Sequence, residues 1–211
     1  MGWDAGFLLY IQEYIRSDFL NPIMKVLTHS GDKGILLIVL ILALLFIPRT
    51  RAIGIMSTIS IAIEALLNNV LLKNLIARTR PYDEIEGLVN LVGKQSDYSF
   101  PSGHTATAFM GAELVRLEYG IWWGLAAYSV AGATAFLRVW NNWHWTSDVI
   151  AGAGIGILSA NAAYWLLPLE RKLFRMDSKL AGATHYQWQA LPYAASTPVG
   201  ASYGLTLAVQ W

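Results

Sequence analysis

The chain has no cysteine, and it carries little charge for its length. The absence of cysteine excludes disulfide bonds, thiolate metal ligands and cysteine nucleophiles. Only 14% of the 211 residues are charged, against about 25% in an average soluble domain. The net charge is +1, which provides no general attraction toward nucleic acid. What remains is a hydrophobic chain, 55% apolar, with a mean hydropathy of +0.42.

Five apolar segments predict helices that cross the hydrocarbon core of a membrane, which takes about 20 residues. They are residues 33–48, 52–72, 102–117, 121–139 and 145–167. The third and fifth segments carry several small residues, which let membrane helices approach closely, so we expect both inside the bundle. The 9 Trp and 10 Tyr suit aromatic belts at two membrane interfaces. The predicted fold class is therefore all-α, a polytopic membrane helix bundle that forms one domain, residues 1–175.

The two ends of the chain differ from these segments. Residues 3–28 predict interfacial helices, because apolar residues recur at helical spacing with charged residues between them. This region ends in a short apolar segment, Phe19 to Leu27, which Pro22 interrupts. The alternative is that the two parts of the region together form a sixth span. Residues 176–211 form a tail in which apolar residues alternate with small or polar ones from Tyr203 to Trp211. We predict a short β-hairpin there, with His185 to Tyr193 as the partner strand.

Basic residues in the connections predict the orientation of the bundle. Three connections that fall on one face are basic, and by the positive-inside rule this face is cytoplasmic. Their basic residues are Arg49, Arg51, Arg116, Arg171, Lys172 and Arg175. The opposite face is then extracytoplasmic.

Polar side chains at the ends of the predicted spans converge on that opposite face. They are Lys73, Arg80, Ser102, Gly103, His104, Arg138, His144 and Asp148. The three cations supply charge-assisted donors suited to phosphate. Ser102 and Gly103 stand at a helix start, where backbone N–H groups and the helix dipole favour an anion. His144 and Asp148 are four residues apart, so a carboxylate can hold one imidazole nitrogen and leave the other to attack.

The polar residues also allow other interpretations. Histidine and aspartate at such spacing can bind a metal, but three cations aimed at one place would repel it, so we expect no metal and no cofactor. We expect Arg78 and Lys94 to be solvated or to face lipid headgroups, and Asp97 to belong to an ordinary polar loop. Glu64, inside the second segment, is either hydrogen-bonded between helices or functional.

The motifs resemble those of the type 2 phosphatidic acid phosphatase family, whose fold is shared with vanadium haloperoxidases. The family's first motif, Lys, six residues, Arg-Pro, is matched by Lys73–Pro81. The second, Pro-Ser-Gly-His, is matched by Pro101–His104. The third, Ser-Arg, five residues, His, three residues, Asp, is matched by 137–148, with Leu137 where the family often has Ser. The resemblance covers the five-span body and not the tail.

The resemblance implies a two-step mechanism that uses no metal. His144 attacks phosphorus and forms a phosphohistidine, and Asp148 orients it. His104 donates a proton to the departing oxygen and then helps to activate water. The remaining residues hold the non-bridging oxygens as charge develops. These phosphate-binding residues are Lys73, Arg80, Ser102, Gly103 and Arg138.

The function implied is dephosphorylation of a lipid phosphate or diphosphate at the extracytoplasmic face of a bacterial inner membrane. Undecaprenyl diphosphate is the first choice of substrate, with phosphatidylglycerol phosphate or lipid A phosphates as alternatives. The non-enzyme alternative is a lipid-phosphate binding or transport module. Both histidines and Asp148 argue against it, because binding alone needs only the cations. The expected partners are the lipid substrate and membrane lipids, without nucleic acid, and the sequence does not determine the oligomeric state.

Overall fold

The computed structural model describes residues 2–30, 35–47, 50–173, 187–197 and 200–210, and these are mostly helical. The helices are α1 (Trp3–Tyr10), α2 (Leu20–Ser30), α3 (Ile35–Phe46), α4 (Arg51–Ala65), α5 (Lys73–Ile76), α6 (Pro81–Glu84), α7 (Gly103–Tyr119), α8 (Ile121–Trp140) and α9 (Thr146–Leu173). Two π-helical stretches, Ile11–Ile15 and Leu66–Leu72, continue α1 and α4. Two strands follow, β1 (Gln187–Thr197) and β2 (Gly200–Gln210).

Helix α7 packs against both α8 and α9 at the centre of the bundle. Glycines make the approach to α9 possible. A Cβ atom on Gly152 would lie 2.5 Å from the carbonyl oxygen of Ser102, and one on Gly156 would lie 2.1 Å from that of Ala106. Real Cβ atoms do not come so close, so the two backbones meet where the side chains are absent. The small residues of the third and fifth segments predicted a place inside the bundle for both, and the structure adds that the two helices contact each other.

The N-terminal helix packs onto the end of the bundle where α8 finishes and α9 begins. Its residues Leu8 and Ile11 are fully buried in a core with Val139, Trp140 and Trp145. The rest of its surface is exposed and rich in aromatic side chains. We predicted an interfacial helix here, and that placement stays a prediction. The structure adds that one side of α1 is part of the protein core.

Two stretches of the described residues have the length and apolar composition of membrane spans. Among the described residues, Arg51–Glu84 and Thr146–Leu166 are long and apolar enough to cross a bilayer, so the count of about five spans stays a prediction. Helices α1 and α2 are separate elements, because Arg16 between them is extended at φ −63°, ψ 141°. Pro22 lies in the first turn of α2, where its missing N–H costs little.

The tail contains one antiparallel strand pair. Gln187 lies opposite Gln210, and Thr197 lies opposite Gly200. The ends of the predicted hairpin, His185 and Trp211, and its turn at residues 198–199 lie outside the described residues.

Candidate active site

His144 lies just before α9 and is 3% exposed. Its Nδ1 atom lies 2.7 Å from the carbonyl oxygen of Ser99. A carbonyl oxygen can only accept, so Nδ1 carries the proton and Nε2 keeps its lone pair. Burial lowers the pKa of His144, and the nearby Arg80 charge adds to this. The imidazole therefore stays neutral at neutral pH, with Nε2 available as a nucleophile.

The Asp148 carboxylate supports His144 through Ser99 rather than by direct contact. It is fully buried, and its Oδ2 lies 3.7 Å from His144 Nδ1, longer than a hydrogen bond. Oδ2 accepts instead from the Ser99 hydroxyl and, at 2.9 Å, from the backbone N–H of Trp145. A shared helix face would require the helix to begin by His144, and α9 begins at Thr146, so His144 lies outside the helix.

Arg78 completes this arrangement, and the expectation that it is solvated or faces headgroups was wrong. Its guanidinium donates to Asp148 Oδ1 at 2.7 Å, to the Ser147 hydroxyl at 2.6 Å and to Asp4 at 3.0 Å. It also lies 4.6 Å from the centre of the Trp145 ring. No local pattern in the sequence singles out Arg78, because Pro81 favours an extended backbone only at Arg80, the residue directly before it.

Lys73 and Arg80 meet at the Asp97 side chain. Lys73 Nζ pairs with Asp97 Oδ2, and Arg80 donates to Asp97 Oδ1 at 2.5 Å. Arg80 is 5% exposed and is also held by the carbonyl oxygens of Asp97 at 2.9 Å and Trp143 at 2.7 Å. Partial burial would raise the pKa of Asp97, but the hydrogen bonds and charges of Lys73 and Arg80 hold it below its ordinary value. The interpretation of Asp97 as part of an ordinary polar loop was wrong.

Trp143 connects the remaining members of the site. Its ring lies 5.2 Å from the Arg138 guanidinium carbon and 6.5 Å from the His104 ring centre. Its carbonyl oxygen accepts from Arg80, and its indole N–H donates to the carbonyl oxygen of Gly93 at 2.9 Å. Trp143 and Arg138 are almost completely buried. Sequence reasoning passed over Trp143, although it directly precedes His144.

Ser102 and Gly103 form the start of α7. Ser102 is fully buried, its hydroxyl lies 3.0 Å from that of Thr105, and its N–H donates to the carbonyl oxygen of Asp148 at 3.1 Å. These bonds fix the start of α7 against α9. A Cβ atom on Gly103 would lie 3.2 Å from the amide nitrogen of Asn68 in the π-helical stretch. Glycine thus allows the α7 start to approach that stretch, and the predicted site residues share one end of the bundle.

Residues 54–172 match the family model of the PAP2 superfamily. The chain belongs to the PAP2 superfamily. It is 51% identical over 74 residues to a lipid A 1-phosphatase from Porphyromonas gingivalis, covering 34% of this chain. It is 35% identical over 137 residues to an undecaprenyl-diphosphatase from Sulfolobus acidocaldarius, covering 65% of this chain. The chain spans 17% of the length of the first relative and 66% of the second.

The fold is similar to that of a solved PAP2 structure. The crystal structure of a transmembrane PAP2-type phosphatidylglycerolphosphate phosphatase from Bacillus subtilis superposes with a TM-score of 0.64 at 26% identity. The match covers 82% of this chain and 87% of that one. The family membership and this similarity support hydrolase activity and a place in a membrane.

A cavity of about 400 Å³ opens beside the paired cations of this PAP2 site. Its wall includes Arg78, Arg80, Asp83, Asp97 and Tyr98, and neither His104 nor His144 lines it. A volume of this size is at the lower end of the range for small-molecule sites. The cavity therefore adjoins Arg80 and Asp97 rather than His144.

Two further carboxylates lie inside the bundle. Glu113 accepts from Arg116, Tyr128 and Asn161 at 2.6–2.7 Å, which satisfies both of its oxygens. It joins α7, α8 and α9 as a structural network. Glu64 is 4% exposed, and its Oε1 has no hydrogen-bond partner within the described residues. In that part of the chain no three His, Asp or Glu side chains come together as metal ligands.

Proposed function

We propose that this PAP2 protein removes phosphate from a lipid phosphate or diphosphate through a phosphohistidine on His144. The observation that carries the proposal is the hydrogen bond from His144 Nδ1 to Ser99, which leaves Nε2 as a neutral, buried nucleophile. Cationic side chains lie around it. Arg80 donates a hydrogen bond to the carbonyl oxygen of Trp143, the residue directly before His144. Arg138 packs on the Trp143 ring.

In the first step, His144 Nε2 forms a bond to phosphorus as the bond from phosphorus to the leaving oxygen breaks. The electron pair of that bond goes to the leaving oxygen, which takes a proton from His104. The phosphorylated imidazole is cationic, and it is stabilised by the Ser99 carbonyl and by the Asp148 carboxylate 3.7 Å away. Lys73 and the site arginines hold the non-bridging oxygens.

In the second step, water attacks phosphorus and passes a proton to His104. The bond from nitrogen to phosphorus breaks, its electron pair returns to Nε2 of His144, and inorganic phosphate leaves. Both histidines are restored to their starting protonation states, so the cycle closes without a metal or a cofactor.

Undecaprenyl diphosphate is the leading substrate of this proposal, and the reaction takes place at the extracytoplasmic face of a bacterial inner membrane. The name of the Sulfolobus acidocaldarius relative supports this choice. Phosphatidylglycerol phosphate and lipid A phosphates are the alternatives, each supported by the name of a relative or a structural neighbour. All three present a terminal phosphate group on a lipid.

The test measures phosphate release by the purified protein from these three lipids, with His144→Ala as the inactive control. During turnover of labelled substrate, an acid-labile, base-stable phosphoprotein should form in the parent chain and not in His144→Ala. Equal labelling of both proteins would require a different nucleophile. Release of phosphate from none of the lipids would overturn the assignment of substrate class.

A further inference from the structure

We propose that Asp97 is a specificity-determining residue, whose carboxylate occupies the Lys73–Arg80 cation pair and yields it only to a strongly charged terminal phosphate. The inference rests on the proposed function, because it concerns how the same site selects its substrate. Asp97 would then act by competing with the substrate and not by taking part in the reaction.

Each oxygen of the Asp97 carboxylate is held by a different cation. Oδ2 pairs with Lys73 Nζ, and Oδ1 lies 2.5 Å from an Arg80 nitrogen. The non-bridging oxygens of a phosphate group require the same kind of charge-assisted donors. Two anions on one pair of cations repel each other, so phosphate can bind there only when the Asp97 side chain leaves.

The structure allows the side chain to leave without disturbing Arg80. The Asp97 side chain is 49% exposed and lies on the wall of the 400 Å³ cavity, so it can turn toward solvent. Arg80 keeps three bonds that do not involve the carboxylate, to the main-chain oxygens of Asp97 at 2.9 Å, Trp143 at 2.7 Å and Tyr98 at 3.4 Å. This distinguishes a displaceable anion from a residue whose task is to position the arginine.

Protonation does not open the site at neutral pH, because the hydrogen bonds and charges of Lys73 and Arg80 hold the pKa of the Asp97 carboxyl below its ordinary value. The incoming ligand must therefore displace the carboxylate by its own charge. A terminal phosphate carries up to two negative charges and three non-bridging oxygens. A phosphodiester carries one charge and two such oxygens, so it competes less well. In a bilayer made largely of phosphodiester lipids, Asp97 keeps the site available for terminal phosphates.

The experiment compares Asp97→Asn with the parent chain in neutral detergent micelles, with and without added phosphatidylglycerol as the phosphodiester. Calorimetry measures the Kd of inorganic phosphate in each. We expect Asp97→Asn to lower the Kd in neutral micelles by about tenfold, since removing a like charge from a binding site relieves strong repulsion. Added phosphatidylglycerol should raise the Kd of the variant by about fivefold or more and change that of the parent little.

Asp83→Asn is the matched control. Asp83 lies on the same cavity wall with a similar exposure of 43%, but its carboxylate pairs with Lys94 at 2.6 Å. The Asp83→Asn substitution removes the same charge without changing a contact of Lys73 or Arg80. The phosphate Kd of this variant should therefore stay within about twofold of the parent's.

Three results would overturn the inference. A higher phosphate Kd in Asp97→Asn than in the parent would mean that Asp97 positions Lys73. Equal Kd values in parent and variant would mean that the carboxylate does not compete. Equal sensitivity to phosphatidylglycerol would mean that it does not select against phosphodiesters. Because calorimetry needs no turnover, these results are distinguishable from a failure of the parent to hydrolyse lipid phosphates.

Discussion

At the scale of single residues, Arg78 is the cation that pairs with Asp148, the carboxylate beside His144. Its guanidinium bonds to Asp148, Ser147 and Asp4, and Asp148 in turn holds Ser99. Within the described part of the chain, the side-chain hydrogen bonds of Arg78 go to Asp148, Ser147 and Asp4 and not to the Asp97 carboxylate that joins Lys73 and Arg80. We therefore expect Arg78 to position His144 through Asp148 and Ser99.

We expect Arg78→Lys to lower kcat by about 10–100-fold, the scale found for outer partners that orient metal-bound histidines, and to leave KM within about threefold. Lysine keeps the charge but cannot reach three acceptors at once. Steady-state kinetics separates the two parameters. Lys94→Ala is the control, because Lys94 is 75% exposed and bonds only to the surface residue Asp83 among the described contacts. A rise in KM with unchanged kcat for Arg78→Lys would place Arg78 on the substrate instead.

His104 tests the chemistry at the leaving group. It is half-buried at the start of α7 beside Trp143. A general acid matters most for a basic leaving group, such as the alkoxide from a lipid monophosphate, and is typically worth about 10²–10⁴-fold. We expect His104→Ala to lose most activity on lipid monophosphates and less on undecaprenyl diphosphate or an aryl phosphate. Single-turnover rates on the three substrate types check this. An equal loss on all three would mean that His104 positions phosphate or water.

At the scale of elements, the contact of α7 with α9 sets the geometry of the site. The start of α7 carries Ser102–His104, the start of α9 carries Asp148, and Gly152 and Gly156 let the two helices meet. A side chain between them would move one half of the site away from the other.

We expect Gly156→Ala to destabilise the protein by about 1–3 kcal/mol, the usual range for overpacking, and to lower activity. The added Cβ would lie 2.1 Å from a carbonyl oxygen of α7. Gly154→Ala on the same helix is the control, because a Cβ there meets nothing within 4 Å, and alanine in a helix is favoured over glycine by up to about 1 kcal/mol. Thermal unfolding in detergent and phosphate release measure both. Equal Tm values for the two variants would contradict this account of the packing.

At the scale of the whole molecule, exposed aromatic side chains gather at both ends of the bundle. Trp122, Trp123 and Trp165 lie far from the site along α8 and α9, and they are 61–77% exposed. Trp3 and Tyr14 lie at the site's end and are 65% and 68% exposed. Such belts are typical of the two surfaces of a membrane, and they agree with a site that opens at one of them.

We expect the site to face away from the cytoplasm, because the basic connections lie at the other end of the predicted bundle. Lys94→Cys and Lys172→Cys report the two ends, since the chain has no native cysteine. An impermeant thiol reagent should label Lys94→Cys on intact spheroplasts and Lys172→Cys only after permeabilisation. The reverse pattern would invert the topology.

The sequence by itself determined the helical class, the family motifs and the motif side chains that lie at the site. These follow from local patterns, namely apolar runs, small-residue positions and motif spacings within single segments. Only the tertiary structure decided that a Ser99 carbonyl holds His144, that Arg78 supports Asp148, and that the Asp97 side chain holds Lys73 and Arg80. The contacts of Asp97 with Lys73 and of Arg78 with Asp148 join residues 24 and 70 positions apart. They depend on how the helices pack and how the loops between them close, and the loop from residue 85 to 102 carries no periodicity that would predict which of its side chains turn inward.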